Sequence, residues 1–161
     1  QFGVQSAIFY ISVYTFMNLA AFFLLDILAN GNTDLRDFSG LGTSLPFLGI
    51  LLTITLISLV GLPPTAGFTA KLLVFSSLWE DYTTHPSNLK IWLLVIGLLN
   101  TAVALFYYLK VPFYLFFRQK PNNSLHQNKS FITILWSILI VMPILLLFFK
   151  TDWLIIFIKQ F

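Results

Sequence analysis

Apolar residues run along this chain in four long stretches parted by short polar ones. The first extends from Val4 to Leu28 and stops at NGNTDLRDFSGLG, where Asn, Gly and Asp favour turns. The second covers Ser44 to Trp79 and gives way to EDYTTHPSN. The third covers Leu89 to Phe117 and ends at RQKPNNSLHQNK, and the fourth runs from Phe131 to Phe149. A helix needs about 20 apolar residues to cross a bilayer. The pattern therefore predicts an all-α transmembrane fold, one membrane domain over residues 1–161 with four spans. The tail over 150–161, KTDWLIIFIKQF, has Trp153 and a lysine near each end, as an interfacial helix would.

The second stretch is too long for one straight crossing, since 36 residues of helix would measure roughly 54 Å. Pro63 and Pro64 lie near its middle, with Gly61 before them and Gly67 after. Proline removes a helical hydrogen bond and its ring clashes with the preceding turn. A helix broken over Gly61–Gly67 is expected. Breaks of this kind are tolerated at membrane depth where the freed backbone lines a polar cavity.

Composition adds the membrane assignment and removes several functions. The chain is 58% hydrophobic and 9% charged, against about 25% charged in a soluble domain. It has no cysteine, so no disulfide, Cys-ligated zinc or iron–sulfur cluster is expected from it. Its net charge of +3 is scattered through loops, which gives no support to nucleic-acid binding. The N-terminus lacks a basic region and a small-residue cleavage site, unlike a signal peptide. It begins with Gln rather than Met, which fits a processed product, one piece of a split subunit or an incomplete stretch. The abundance of Phe, 18 residues, points to an AT-rich genome such as that of many mitochondria. Arg36, Arg118, Lys120 and Lys129 fall on one side of a four-span layout. Lys90, Lys150 and Lys159 fall on the other, with Glu80, Asp81 and Asp152. The positive-inside tendency puts the first side in cytoplasm or matrix, and both chain ends on the opposite side.

One residue then stands out. Lys71 has no charged neighbour in sequence between Asp37 and Glu80, and Glu80 is roughly 13 Å away along a helix. An ionisable group at such depth is a functional-site hypothesis by default. Desolvation disfavours the ammonium, which equips such a lysine to take up and release a proton. Its bland alternatives are permanent pairing with a carboxylate, which another segment would have to supply, or snorkelling. Gly61, Pro63, Pro64 and Gly67 would form the break beside it. Ser58, Thr65 and Thr69 could hydrogen-bond water there, or bond back to freed carbonyls. Asn18 and Asn100 read as buried polar groups that hold helices together or extend a water path. Lys110 reads as an anchor that reaches the headgroups. His85 and His126 read as solvated, Asp26 as interfacial, and Tyr107, Tyr108, Trp79 and Trp92 as aromatic-belt residues. There is no phosphate-binding glycine loop, HExxH or GxSxG, so no bound cofactor or metal is expected.

The segment LISLVGLPPTAGFTAKLLVF resembles the broken twelfth helix of antiporter-like subunits of respiratory complex I. The family pattern there is approximately S-L-x-G-x-P-P-x-x-G-F-x-x-K. Ser58, Leu59, Gly61, Pro63, Pro64, Gly67, Phe68 and Lys71 fill it, while Val60 and Ala70 replace a usual alanine and glycine. FYISVYTFMNLAAF resembles the eleventh helix of the subunit 2 (bacterial subunit N) branch, and LLNTAVALFYYLKV its thirteenth, with Lys110 in place of an arginine. The resemblance covers essentially the whole chain but only the last four of fourteen helices. It implies a proton-translocating membrane-arm subunit of an NADH:ubiquinone oxidoreductase, with Lys71 as terminal proton relay. It implies no redox centre in this chain; NADH, FMN, iron–sulfur clusters and ubiquinone would lie elsewhere in the complex. Partners would be other membrane-arm subunits, the N-terminal part of the same subunit carrying the remaining relay groups, and lipid. The expected location is the mitochondrial inner membrane as a multi-pass protein, ahead of a bacterial plasma membrane. The rival expectations are a subunit of a cation/proton antiporter, whose matching helix is very similar, and a structural membrane-arm piece that does not pump.

Overall fold

The structure is a computed structural model and describes residues 2–29, 31, 34–118, 129–151 and 156. The expectations for Lys120, His126 and the tail carrying Asp152, Trp153 and Lys159 lie outside the described residues. Helix α1 runs Phe2–Ala29, α2 Leu41–Ser44, α3 Pro46–Val60, α4 Ala66–Thr84, α5 Asn88–Phe117 and α6 Phe131–Phe149. A 3-10 turn over Leu35–Phe38 precedes α2. The fold is all-α and membrane-type: α1, α5 and α6 are long and apolar enough to cross a bilayer, and α3 is a shorter apolar helix.

Helix α1 packs against α3, α4 and α6, while α3 links α1 to α5. The buried positions of α1 are Ser6, Phe9, Val13, Met17, Ala20, Ala21, Leu24 and Leu28, a stripe at steps of three and four. Its outward positions include Ile11, Leu19 and Phe22, so polarity does not separate the two faces. Packing does, because between helices in lipid there is no hydrophobic drive and close van der Waals fit decides. Leu48, Leu52, Leu56 and Leu59 of α3 join this core, with Ala66 and Ala70 of α4, Leu115 of α5 and Val141 and Ile144 of α6.

The polar stretch after α1 holds more structure than its composition predicts. The Asp34 carboxylate accepts the Arg36 N–H at 3.1 Å and starts the 3-10 turn, and Phe38 at its end is buried. The Gly40 N–H then donates to the Tyr114 carbonyl at 3.2 Å. That carbonyl belongs to the last turn of α5, where the helix has no amide to offer it. The contact places the end of α1 and the end of α5 on one side of the molecule, as the four-span layout predicts. Pro46 opens α3 at its first turn, where a missing N–H costs nothing.

At the opposite side, Lys90 in the first turn of α5 closes the end of α4. Its Nζ lies 2.7 Å from the Asp81 carboxylate and donates to the carbonyls of Asp81 at 3.2 Å and His85 at 3.0 Å. The hydrogen bond from Lys90 holds the Asp81 carboxyl below the usual carboxylate range; desolvation opposes it, and the Lys90 and His85 charges add to it. A carboxyl depressed in the folded state contributes stability above its ordinary pKa, near 3.9, and loses it as pH falls through the folded value. Asp81→Asn is therefore expected to lower thermal stability slightly at neutral pH and to leave it unchanged at the acid end. A pH series of melting temperatures for both proteins checks this; parallel curves would refute it.

Candidate functional site

The break in the second stretch is built by glycine rather than by proline alone. Gly61 ends α3 with φ 88°, in the left-handed region that favours a residue without Cβ. Its N–H donates to the Ser58 carbonyl at 2.9 Å and the Ile57 carbonyl at 3.1 Å, and the Leu62 N–H donates to Ile57 at 3.2 Å. This is a Schellman ending. It uses the carbonyls of Ile57 and Ser58 and leaves those of Leu59 and Val60. Lys71, in the second turn of α4, reaches back to both: Nζ donates to the Val60 oxygen at 2.6 Å and the Leu59 oxygen at 3.2 Å. The last carbonyls of a helix carry the negative end of its dipole, so a cation is favoured there. Gly61 also makes room for this reach, since a Cβ on it would lie 2.7 Å from Lys71 Cδ.

The two half-helices touch through their backbones. A Cβ on Gly67 would run into the Ser58 carbonyl oxygen. The Gly67 N–H donates to Ser58 Oγ at 3.2 Å, and Ser58 Oγ donates to Met17 Sδ at 2.9 Å. Ser58 thus satisfies an amide at the start of α4 from the neighbouring half-helix, where α4's own Thr65 supplies no side-chain cap. Thr65 is buried and its hydroxyl donates to the Leu62 carbonyl at 2.6 Å, so it bonds back to the break. Helix α4 resumes at Ala66, which shortens the expected break to Gly61–Thr65 and puts Gly67 inside the helix.

Other sequence-predicted residues fall elsewhere. Pro63 and Pro64 are exposed, so the break opens outward from this helical unit instead of into its core. Thr69 is half-buried. Asn100 is exposed on α5 rather than buried, because the first two-thirds of that helix packs little against the rest. Asn18 is half-buried and donates to the Tyr14 carbonyl of its own helix at 2.7 Å. Tyr108 is half-buried against the core rather than facing an interface, whereas Tyr107, Trp79 and Trp92 are exposed. Asp26 and Lys110 are exposed. Further along α4 from Lys71, a cavity of about 560 Å³ is lined by Val74, Ser77, Glu80, Asp81 and the first residues of α1. What sequence reasoning missed is the carbonyl pair under Lys71. Its signal was present: a glycine closing an apolar run, with a lysine ten residues later.

Residues 1–104, about two-thirds of the chain and the whole of the break, match the family described as NADH:quinone oxidoreductase/Mrp antiporter, transmembrane. The chain belongs to this family. It is 40% identical over 124 residues to NADH-quinone oxidoreductase subunit N 2 of Chloroherpeton thalassium, covering 76% of this chain and 23% of that protein. It is 42% identical over 124 residues to NADH-quinone oxidoreductase subunit N of Chlorobium chlorochromatii, with the same coverage of each. The fold is shared with a chain in the solved structure of respiratory complex I from Thermus thermophilus with bound aureothin. There the TM-score is 0.70 at 22% identity, over 91% of this chain and 33% of that one. The chain thus spans about a quarter of the length of these family members. Among the described residues no group of three or more His, Asp or Glu side chains is placed to hold a metal ion.

Proposed function

We propose that this chain forms the C-terminal part of a subunit-N-type membrane-arm subunit that moves protons in an NADH:quinone oxidoreductase, and that Lys71 is the relay group. The observation that carries the reading is the Lys71 amine seated on the two carbonyls that the end of α3 leaves free. A single titratable group fixed at a helix break, with no carboxylate bound to it among the described residues, can hold and hand on a proton. The exposed Pro63–Pro64 segment faces whatever covers this side of the unit, which fits a path completed by residues outside this chain. Those residues belong to the part of the subunit that family members carry and this chain does not match, as a separate polypeptide or a preceding stretch. The redox chemistry would be done by other subunits of the complex, and this chain would bind no cofactor. Its Phe-rich composition supports a mitochondrial inner membrane, although the relatives described above are bacterial.

The family also includes cation/proton antiporter subunits, whose break motif is very similar. An affinity tag on this chain is expected to bring down NADH:quinone oxidoreductase activity with the rest of a membrane arm. Recovery of a complex without that activity, which exchanges Na⁺ for H⁺ in vesicles, would assign it to the antiporters instead.

A further inference from the structure

Lys110 stands on a side of α5 that none of the other described residues covers, away from the break. Helix α5 has 30 residues and so measures about 45 Å, well over the roughly 30 Å of a hydrocarbon core. Lys110 lies eight residues before Arg118, about 12 Å inward from that end of the helix. It is exposed and in neither ion pair found among the described residues. A cation at that depth on an outward face needs an anion or a headgroup within reach.

The surroundings of Lys110 supply the rest of a site. An open groove of about 610 Å³ runs along α5 with walls that include Ala102, Leu105, Leu109 and Phe113, and with Lys110 and Tyr114 at one end. From 102 to 114 the trough is about 18 Å long, close to the depth of one leaflet. Beyond it the Arg118 guanidinium lies 4.6 Å over the Tyr114 ring. That cation–π contact holds a second positive charge at the same end of the groove. Arg118 lies on the side of the Arg36 turn, since Gly40 bonds Tyr114 there, the side that the positive-inside tendency assigns to cytoplasm or matrix.

We infer that this groove is a binding site for an anionic phospholipid of that leaflet, its acyl chain along Ala102–Leu109 and its phosphate between Lys110 and Arg118. An apolar trough closed by two cations complements a molecule with an apolar tail and an anionic head. A neighbouring apolar helix would leave both charges unanswered. Basic groups near a membrane surface attract anionic lipids in this way. The site is independent of the proton relay.

The intact complex, reconstituted in phosphatidylcholine vesicles, tests this with a minor fraction of photoactivatable lipid bearing a diazirine in its acyl chain. The phosphatidylglycerol probe is expected to label residues 102–113 more strongly than the phosphatidylcholine probe, by about five-fold for each cation engaged. Lys110→Gln together with Arg118→Gln should abolish that preference in the assembled complex, and Lys110→Arg should keep it. Equal labelling by the two probes in the unaltered complex would overturn the inference. So would labelling by neither, which would mean protein covers the groove. A preference erased by excess inorganic phosphate would mark a free-phosphate site, and would overturn it too.

Discussion

Lys71→Met is expected to leave an assembled complex that passes electrons from NADH to quinone but moves fewer protons per electron. Methionine is similar in length and apolar, so the space between α3 and α4 stays filled. It has no N–H to give the carbonyls of Leu59 and Val60, and leaving partly buried acceptors unpaired costs about 1–3 kcal/mol. Helix α3, packed against α1, α4, α5 and α6, can absorb that loss. The sharper comparison is Lys71→Arg. Arginine keeps the positive charge and the donors at the negative end of α3, but it does not deprotonate in proteins. If Lys71 only caps the broken helix, arginine should restore wild-type behaviour. If it hands protons on, arginine should be as defective as methionine in pumping while restoring stability. Proton-to-electron ratios of vesicle-reconstituted complexes decide the matter; an unchanged ratio in the arginine variant would rule out the relay role.

Gly67→Val should have the larger effect on the fold itself. The obstacle is the Ser58 backbone carbonyl, which cannot rotate away as a side chain can. Any Cβ forces α4 off α3, and with it Lys71 off its two acceptors and Met17 off Ser58. Overpacking of this kind costs about 3 kcal/mol or more, enough to deplete the assembled subunit. Ser58→Ala gives the scale for comparison. It removes the hydroxyl between Gly67 and Met17 but creates no clash, so about 1–2 kcal/mol is expected. Melting temperature and membrane abundance should fall for both, much further for Gly67→Val. Equal losses would mean that the hydrogen bond, and not the close approach, holds the half-helices together.

The long spans and the break were legible because length and proline chemistry act locally. Apolar runs of this length have few other structures open to them in lipid, and Gly61 with the proline pair cannot sit in a continuous helix. The position of Lys71 along the chain was likewise visible. Its partners were not, because they are backbone carbonyls, and every residue has one. Only the Schellman geometry decides which carbonyls stay free. Burial was the least legible property: Asn100 and Asn18 look alike in an apolar sequence, and Tyr107 and Tyr108 are adjacent. With apolar residues on every face of a helix, only the packing of neighbours tells inside from outside. The short elements Leu35–Phe38 and Leu41–Ser44 were hidden for a related reason, their buried Phe38 lying among residues that otherwise signal a loop.

The two carbonyls beneath Lys71 also match a count of hydrogens. An ammonium has three N–H bonds and a neutral amine has two. Leu59 and Val60 accept two. The amine can therefore lose its third hydrogen and keep both anchors, so gaining or losing charge does not by itself require the side chain to leave its seat. Only the identity of the third neighbour has to change, and that neighbour can be a single water molecule reaching the open side of the break.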